Sequence, residues 1–521
     1  MEAADAQRLV ESIPALYRGP GGACALLRDG KVIGQHVWGY ADLEKRIQME
    51  NDTILPICSI SKQFVCLTLA KIFEEDSAAA KADAALRDLL PATLADNKDL
   101  TVERLAAMQS GIRDYWALSV LWGAQVDQHF TLEKDAPAAL QRLGKFHFEP
   151  GTSYSYSNVN FYVLGRIAEI ITGQPLDDLL AEHVFKPAGM ASAELAPNTN
   201  ERPGPSVGYE GPEQSGFFQA LNRIEWAGDA GIVASLNDMI AYEQYLDQQH
   251  TGPKSTYRLN AQEPTFIDGA PAFYGWGLAH DETAGHNSVG HGGALRGFRL
   301  NRRYIPDARL SVVVMFNHEA DAGAAATYLL EKTLLKAEES DSVARGDAWE
   351  GAYFDPETQL ATTVKHGDGK GELMVDGDKV KCTSPYEAKS RSVTATLSGD
   401  VVTIHRPREN QTITAHRIKP SSGVNYEPYV GSYRSDEIDS TFHVAGGPGM
   451  LYGSFDGYLG KGPAHLMKEI GEGVWYLSCQ RSLDAQPPGN WTVVFEKGGD
   501  GAVESVTVGC WLARKVDYVK V

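Results

Sequence analysis

The feature of this sequence that most constrains its fold is a change of pattern at Lys336–Ser342, a polar and charged segment. Before this segment, apolar residues recur with the spacing of amphipathic helices, at 59–76, 101–109, 159–172, 176–184 and 238–246. After it, short stretches of alternating apolar and polar residues follow one another between turns such as Asp376-Gly377, as is typical of β-strands. The pattern therefore predicts a mixed α and β part, a linker and an all-β part.

The first part is predicted to form one domain, at 1–335. Two apolar stretches within residues 20–45 meet at Asp29-Gly30, a dipeptide typical of tight β-hairpin turns. An almost wholly apolar stretch at 309–316 predicts a buried strand, and the stretch 324–335 predicts a closing helix. This layout fits an α/β (α+β) domain in which an antiparallel sheet is flanked by helices.

The all-β part contains an internal repeat. The stretch Trp349-Glu-Gly-Ala-Tyr353 is matched 80 residues later by Tyr429-Val-Gly-Ser-Tyr433. The shared G-x-Y is short enough to recur by coincidence, but both copies stand at the start of a predicted strand. We therefore expect two related small antiparallel β-barrels, at 345–420 and 425–521.

The composition excludes several kinds of partner. The 521 residues carry a formal net charge of -20, which disfavours nucleic acid or an anionic membrane as the main partner. The sequence has no run of about 18 apolar residues, so we expect no membrane span. Its start lacks a basic segment followed by an apolar one, so we expect no signal peptide and a cytoplasmic protein. The six cysteines lack C-x-x-C spacing, which favours free buried thiols over disulfides or a zinc site.

The stretch Pro56–Phe64, PICSISKQF, contains the first candidate catalytic residues. Ser59 stands three residues before Lys62 in a predicted helix, where this spacing places both on one face and lets the amine reach the hydroxyl. A serine becomes a strong nucleophile when a base removes its proton, and a lysine is such a base only if its pKa is lowered. Ser61 points about 100° away and is the poorer candidate. Cys58 is an alternative thiol nucleophile, although most such cysteines only pack.

Two further motifs accompany S-x-x-K, which alone is a weak signal because it recurs by chance in long chains. Tyr156-Ser-Asn158 follows a Pro-Gly turn directly before a helix. Tyr156 could relay protons and Asn158 could hold a substrate amide, or the two could simply pack and cap the helix. His291-Gly-Gly293 precedes a strand, and its glycines indicate a backbone close to a ligand, or else a tight turn.

In their order along the chain, these motifs resemble the penicillin-recognising serine hydrolases (peptidase S12), a family of class C β-lactamases, DD-peptidases and related esterases. The resemblance covers about residues 20–335. It implies these roles: Ser59 as nucleophile, Lys62 as base, Tyr156 and His291 in proton transfer, and Asn158, Gly293 and Ala294 beside the substrate. It also implies that the backbone N–H groups of Ser59 and Ala294 hold the oxyanion. No metal or organic cofactor is implied.

The whole layout is similar to the bacterial D-aminopeptidases of this family, in which one hydrolase domain precedes two small antiparallel barrels. The phrases HFEPGTSYSYSN, NRIEWAGDAGI and VGCWLAR carry this similarity to near the end of the chain. It implies that a loop of the second barrel, 480–490 (QRSLDAQPPGN), enters the cleft and restricts the substrate. Asp484 would then pair with a free amino terminus, although D-x-x-P-P-G is also common in exposed turns. His291 replaces the family's commoner lysine, so a strong cation for a substrate carboxylate is missing there.

The resemblance therefore implies a serine aminopeptidase that releases an unblocked, D-Ala-like N-terminal residue from peptides, amides and esters through an acyl-enzyme. Its partner would be a small peptide or an amino-acid amide substrate, and the resemblance implies a homodimer. An esterase or a DD-carboxypeptidase remains an alternative, because the same motifs carry out both reactions. A penicillin-binding sensor that is acylated but turns over poorly is a further alternative.

Overall fold

The computed structural model describes residues 3–75, 77–252, 255–334, 343–344, 346, 348–421, 426–447, 449–479, 483–484 and 489–521. The predicted linker at Lys336–Ser342 lies outside the described residues, and so do 422–425, between the two predicted barrels. The domain boundaries expected from the sequence therefore stay a prediction.

The strands of the first part form one large antiparallel sheet and two small sheets. They are β1 (Gly21–Arg28), β2 (Lys31–Asp42), β3 (Ile47–Gln48), β4 (Leu55–Pro56), β5 (Glu194–Leu195), β6 (Tyr209–Glu210), β7 (Phe218–Gln219), β8 (Ile232–Ala234), β9 (Tyr274–Gly275), β10 (Leu278–Thr283), β11 (His286–Leu295), β12 (Phe298–Ile305) and β13 (Leu310–Phe316). The large sheet has the order β3-β2-β1-β13-β12-β11-β10-β9. The small sheets are β4-β8-β5 and β6-β7.

Helices cover both faces of the large sheet. They are α1 (Ala3–Glu11), α2 (Ile13–Leu16), α3 (Ser61–Ile72), α4 (Ala78–Leu89), α5 (Ala92–Ala95), α6 (Val102–Ala106), α7 (Tyr115–Leu121), α8 (Asp135–Leu140), α9 (Asn158–Thr172), α10 (Leu176–Leu180), α11 (Lys186–Ala188), α12 (Leu236–Thr251), α13 (Thr256–Asn260) and α14 (Ala322–Leu334). Along β13, Val313 and Met315 enter the core shared with α3, whereas Val312 and Val314 enter the core shared with α1 and α14. Because neighbouring side chains of a strand point to opposite faces, the sheet lies between two helical layers.

Local signals in the sequence correspond to local structure. The β1–β2 hairpin turns at Asp29 and Gly30, whose φ angles are 52° and 69°, as the D-G dipeptide predicts. The helix predicted at 59–76 begins at Ser61 and is preceded by a 3-10 turn, Cys58–Ile60. The helix predicted at 176–184 is α10 continued by a π-helical turn, Ala181–Phe185.

The all-β part forms two antiparallel barrels. The first consists of β14 (Gly351–Asp355), β15 (Leu360–His366), β16 (Glu372–Val375), β17 (Asp378–Ser384), β18 (Glu387–Lys389), β19 (Thr394–Ser398), β20 (Val401–Arg406) and β21 (Gln411–Ile418). The second consists of β22 (Gly431–Ser435), β23 (Ser440–Gly447), β24 (Met450–Gly457), β25 (Gly460–Lys461), β26 (His465–Gly471), β27 (Val474–Leu477), β28 (Trp491–Lys497), β29 (Val503–Cys510) and β30 (Ala513–Lys520). Its ring is closed by the pairing of β23 with β24, and β25 is attached to β24. The predicted fold class is thereby confirmed.

The internal repeat recurs as the same contact in both barrels. The Tyr353 hydroxyl donates to the Trp349 carbonyl at 2.9 Å, and the Tyr433 hydroxyl donates to the Tyr429 carbonyl at 2.7 Å. Each bond ties the first strand of a barrel to the residues just before it. The two repeated segments are therefore equivalent in structure as well as in sequence.

The second barrel packs against the first part of the chain. Trp122, at the end of α7, donates its ring N–H to the Ile438 carbonyl at 2.9 Å. Arg113 is buried and donates to the carbonyls of Arg514 and Lys515, each at 2.8 Å. These contacts bring the β29–β30 turn of the barrel to the edge of the cleft described below.

The six cysteines are free and buried, as the sequence led us to expect. Cys58 is fully buried, and its burial raises the pKa of the thiol to about 12. A thiol with so high a pKa is a poor nucleophile at neutral pH, which argues against a reactive Cys58. Among the helices that the structure describes, none combines the length and the apolar character needed to cross a membrane.

Candidate active site

Ser59 lies in the 3-10 turn directly before α3, where β11 passes close to it. The approach depends on Gly293, because a Cβ at this position would lie 2.4 Å from the Ile57 carbonyl oxygen. That separation is shorter than a carbon and an oxygen tolerate, so any larger residue would push the strand away. The glycine of the predicted His-Gly-Gly motif therefore brings the backbone of β11 against the turn that carries the serine.

Lys62 is fully buried and bonds the Ser59 side chain directly. Its Nζ lies 3.0 Å from Ser59 Oγ, 2.9 Å from Asn158 Oδ1 and 2.6 Å from the Asp229 carbonyl oxygen. Burial lowers the pKa of Lys62 to about 8, although the negative charges of Asp229 and Asp114 oppose the shift. Roughly a tenth of the lysine is therefore an uncharged amine at pH 7, which is the form that accepts a proton.

Tyr156 completes the contacts of the Ser59 hydroxyl. The Ser59 side chain is near enough to the Tyr156 hydroxyl to lower the pKa of Tyr156 and partly oppose the effect of burial, and Lys62 Nζ lies 5.0 Å from the centroid of the Tyr156 ring. Burial raises the pKa of Tyr156 well above its usual value of 10. The phenol therefore keeps its proton at neutral pH and is placed to donate it.

Asp114, which was not predicted from the sequence, fixes the orientation of Asn158. Asp114 Oδ1 accepts from the backbone N–H of Asn158 at 2.6 Å and from its Nδ2 at 3.1 Å. The Asn158 amide must then present its oxygen to Lys62, as observed. Asp114 Oδ2 caps α7 by accepting from the Ala117 N–H at 3.1 Å, and burial raises the pKa of Asp114 to about 6. The missed signal is an aspartate directly before a helical stretch.

His291 is neutral and both of its ring nitrogens are engaged. Nδ1 lies 2.5 Å from the Gly292 carbonyl oxygen, which only accepts, so Nδ1 carries the proton. Nε2 lies 2.9 Å from the Tyr274 hydroxyl and accepts a hydrogen bond from it. Burial, aided by the charge of Lys62, lowers the pKa of His291 to about 3. Tyr274 is a second residue whose contact with the site was not predicted from the sequence.

The register of β11 directs the Ala294 N–H into the cleft. β11 and β12 meet in a hairpin with Leu295 opposite Phe298, so Gly293 and Leu295 exchange hydrogen bonds with β12. The N–H of Ala294 then points to the other edge of β11. On that edge, β10 is paired only as far as Gly290. The Ala294 amide is therefore open towards the turn of Ser59.

These residues surround a cavity of about 600 Å³. Six of the eight predicted site residues line it, namely Ser59, Tyr156, Asn158, His291, Gly293 and Ala294. Lys62 lies behind Ser59. Apolar side chains cover one part of the cavity: Trp116, Ile224, Trp226 and, from the second barrel, Leu512. Polar groups of β12 and the start of α14 cover another part: Arg299, Asn301, Glu319 and Asp321.

Asp484, the remaining predicted residue, lies behind the cavity wall. It is 1% exposed, and its Oδ2 accepts from the backbone N–H groups of Arg223 and Ile224. Ile224 lines the cavity, so one residue separates the carboxylate from the space that a substrate would occupy. Residues 480–482 and 485–488 of the predicted cleft loop lie outside the described residues. The pairing of Asp484 with a substrate amino group stays a prediction.

Two protein-family models match the chain. Residues 6–334 match the model described as Beta-lactamase, and residues 342–519 match the model of D-aminopeptidase, domain B. Two solved structures share the fold. The octameric penicillin-binding protein homologue from Pyrococcus abyssi has a TM-score of 0.53 and 18% identity, and the match covers 88% of this chain and 99% of that one. The D-amino acid amidase from Ochrobactrum anthropi SV3 complexed with L-phenylalanine amide has a TM-score of 0.52 and 19% identity, covering 64% and 99%.

Relatives of known name match along the whole chain. The D-aminopeptidase of Brucella anthropi is 42% identical over 522 residues, which cover 99% of this chain and 98% of the relative. The D-aminopeptidase of Cereibacter sphaeroides is 41% identical over 517 residues, with the same coverage of 99% and 98%. The resemblance read from the sequence is confirmed: this chain belongs to the D-aminopeptidase family, with a β-lactamase-like domain followed by the family's barrel domains.

Proposed function

We propose that the protein is a serine aminopeptidase that releases an unblocked N-terminal D-amino acid from peptides, amides and esters. The observation that carries the proposal is the buried Lys62 Nζ, 3.0 Å from Ser59 Oγ, in a chain of the D-aminopeptidase family. A lysine in this position supplies the base that a serine nucleophile requires. The reaction would proceed through a D-aminoacyl ester of Ser59.

In the acylation step, Ser59 Oγ forms a bond to the substrate carbonyl carbon, and Lys62 in its uncharged form takes the hydroxyl proton. The carbonyl becomes an oxyanion, which the N–H groups of Ser59 and Ala294 hold. Donors fixed before the reaction stabilise such charge without reorganising. The support is the open Ala294 amide facing the turn of Ser59.

The leaving amine needs a proton as the carbon–nitrogen bond breaks, and we assign this transfer to Tyr156. The sequence left Tyr156 and His291 as alternatives. His291 is the weaker donor, because its Nδ1 proton is held by the Gly292 carbonyl and its Nε2 accepts from Tyr274. Tyr156 contacts the Ser59 side chain and keeps its proton, and the proton on Lys62 can replenish it.

In the deacylation step, water attacks the ester carbonyl and transfers a proton to the same Lys62–Tyr156 pair. The ester bond breaks, Ser59 recovers its proton, and the free D-amino acid leaves. The proton that Ser59 loses in the first half of the cycle leaves with the amine, and water supplies its replacement in the second half. The balanced cycle consumes only substrate and water.

Recognition of the amino end is assigned to the 480–490 loop and to Asp484. The carboxylate lies directly behind Ile224, and a negative charge at this wall attracts a substrate ammonium across one residue of low-dielectric protein. An acylated amino group carries no charge and would gain nothing from this wall. We also propose a cytoplasmic homodimer, which sedimentation at twice the mass of the chain would support.

The discriminating experiment compares four substrates under steady turnover. We expect hydrolysis of D-alanine p-nitroanilide, much slower hydrolysis of its L enantiomer, and no release of D-alanine from N-acetyl-D-alanyl-D-alanine. A p-nitrophenyl ester of a simple fatty acid controls for non-specific esterase activity. Cleavage of only the acetylated peptide or the simple ester would contradict the proposal. A single burst without turnover would favour the sensor alternative.

A further inference from the structure

The cleft continues past Gly292 into a slot formed by Asn301 on β12 and the start of α14. Gly292 is the cross-strand partner of Asn301, and a Cβ on Gly292 would lie 3.5 Å from Asn301 Nδ2. A Cβ on Gly323 would also lie 3.5 Å from this atom. All three residues line the cavity. The Asn301 amide therefore lies between two residues that have no side chain and leave room beside it.

Asn301 Oδ1 is buried and has no hydrogen-bond partner among the residues that the structure describes, and the Nδ2 of the same amide donates to none of them, although the residue is only 6% exposed. A buried amide without a partner destabilises the fold, because it gives up its hydrogen bonds to water and receives none in return. Most buried polar groups in proteins avoid this state. An amide kept in it, at the wall of a substrate cavity, is available to bind a substrate group.

The slot lies in the direction that a leaving group would take. Ile224, with Asp484 behind it, forms part of the cavity wall. This part of the wall is joined to the hairpin end of β11, because Asn222 Nδ2 donates to the Arg296 carbonyl at 3.1 Å. If this wall receives the amino end, the acyl group runs from Ser59 towards the hairpin. The leaving group then runs the opposite way along β11, towards Gly292. This step depends on the proposed function.

The charges around the slot are unfavourable for an anion. Asp321 Oδ1 caps α14 by accepting from the Ala324 N–H at 2.9 Å, and it would lie 3.2 Å from a Cβ on Gly323. The cation that lines the same cavity, Arg299, forms an ion pair with Glu319 at 2.9 Å. The slot thus offers an amide donor beside a carboxylate.

We propose that this slot binds the residue that follows the scissile bond, with Asn301 donating to its carbonyl oxygen. The Asp321 carboxylate repels a free carboxylate at the same position. The preferred substrates are therefore those in which this residue continues as a peptide or ends as an amide. A dipeptide with a free carboxylate is the poorer substrate.

The test compares D-alanyl-glycinamide with D-alanyl-glycine, which differ only in the charge of the group that reaches the slot. We expect kcat/KM to be higher for the glycinamide. Asp321→Asn keeps a side chain that can cap α14 and removes its charge, so kcat/KM for D-alanyl-glycine should rise. The ratio of the kcat/KM values of the glycinamide and the dipeptide should then fall roughly threefold to tenfold. Asp307→Asn is the matched control, because Asp307 lies outside the cleft, in the turn between β12 and β13, paired with His286 at 2.7 Å. It should leave the ratio unchanged.

A second variant tests the donor itself. Asn301→Leu removes the amide at similar volume and leaves no unpaired polar group, so we expect an unchanged or raised unfolding midpoint together with a lower preference for the glycinamide. Equal kcat/KM values for the two substrates, with no change in Asp321→Asn or Asn301→Leu, would overturn the slot and leave the aminopeptidase standing. A wild-type protein that cleaves neither these substrates nor D-alanine p-nitroanilide would overturn both.

Discussion

The backbone N–H of Asp114 donates to the carbonyl of Leu512 across a distance of 3.0 Å, which joins the catalytic domain to the second barrel at the edge of the cleft. The Asp114 carboxylate holds Asn158, and Asn158 bonds Lys62. The barrel is thus linked to the base of the proposed reaction through three consecutive contacts. Leu512 itself lines the cavity. The position of the second barrel therefore affects the cleft directly.

Arg113, the neighbour of Asp114, offers a test of this link. Its guanidinium is buried, donates to two carbonyls of the second barrel and pairs with Glu437. Arg113→Met leaves the buried Glu437 with only the exposed Lys145, at 3.6 Å, and leaves two barrel carbonyls without their donor, so we expect the free energy of unfolding to fall by about 3–5 kcal/mol. We also expect lower kcat/KM, because Asp114 would shift. Urea unfolding and the D-alanine p-nitroanilide assay measure the two effects.

The control for this variant is Arg142→Met, at the same interface. Arg142 pairs with Asp439 at 3.1 Å but is more exposed, so its loss should cost only about 1 kcal/mol. If the two variants were equally stable, the interface would not depend on the buried arginine.

The two serines of the PICSISKQF stretch should separate catalysis from stability. Ser59→Ala removes the proposed nucleophile, so kcat should fall by at least about a thousandfold while the unfolding midpoint stays near that of the wild type. Ser61 is buried and its Oγ accepts from the Ile232 N–H at 3.1 Å. Ser61→Ala should keep activity and lose about 1–3 kcal/mol of stability, because this N–H is left without a partner. If Ser61→Ala lost activity and Ser59→Ala kept it, Ser61 would be the nucleophile instead of Ser59.

The lowered pKa of Lys62, about 8, gives the acylation rate a specific pH dependence. The base acts only when uncharged, and the uncharged fraction increases with pH until the pKa is passed. For an ester without an amino group, kcat/KM should rise about tenfold per pH unit below pH 8 and level off above it. Because the pKa of His291 lies near 3, His291 itself should add no inflection near pH 6.5.

A lysine-to-arginine variant checks the origin of this pH profile. Arginine remains charged at all these pH values and cannot accept the proton, so Lys62→Arg should be inactive from pH 6 to 10. Retained activity with the same pH profile would assign the rising limb to another group.

The repeated tyrosine contact predicts that each barrel loses stability when the hydroxyl of its tyrosine is removed. Tyr433→Phe removes one buried hydrogen bond, to the Tyr429 carbonyl, and should cost about 1 kcal/mol. Tyr353→Phe should cost more, because the Tyr353 hydroxyl bonds both Trp349 and Arg417. Denaturant unfolding of the two variants measures the difference, and a larger cost for Tyr433→Phe would contradict it.

The site residues that could be predicted are those whose relation follows from their spacing along the sequence. Ser59 and Lys62 lie within one turn of each other, and the glycines after His291 mark the strand that approaches them. Asp114 and Leu512 were missed because their contact joins residues that are remote along the chain. The periodicity of apolar residues along the sequence does not indicate which carbonyl accepts a given backbone N–H.

The elements of the fold that could be predicted also follow from local sequence patterns. The D-G turn at Asp29-Gly30 and the apolar stretch of β13 determine a hairpin and a buried strand, and both are observed. The helix at Ser59 was placed two residues early, because an apolar pattern does not distinguish a 3-10 turn from the α-helix that follows it. The unpartnered amide of Asn301 becomes visible only when β12 and α14 are brought together.

The most direct test of the account is mass spectrometry of the protein after a brief reaction with a D-alanyl ester, followed by an acid quench and proteolysis. We expect one D-alanyl group on the peptide that contains Ser59, with fragment ions that place it on this residue. We expect no adduct in Ser59→Ala. A D-alanyl group on Cys58, Ser61 or any other side chain, formed as fast as turnover, would contradict it.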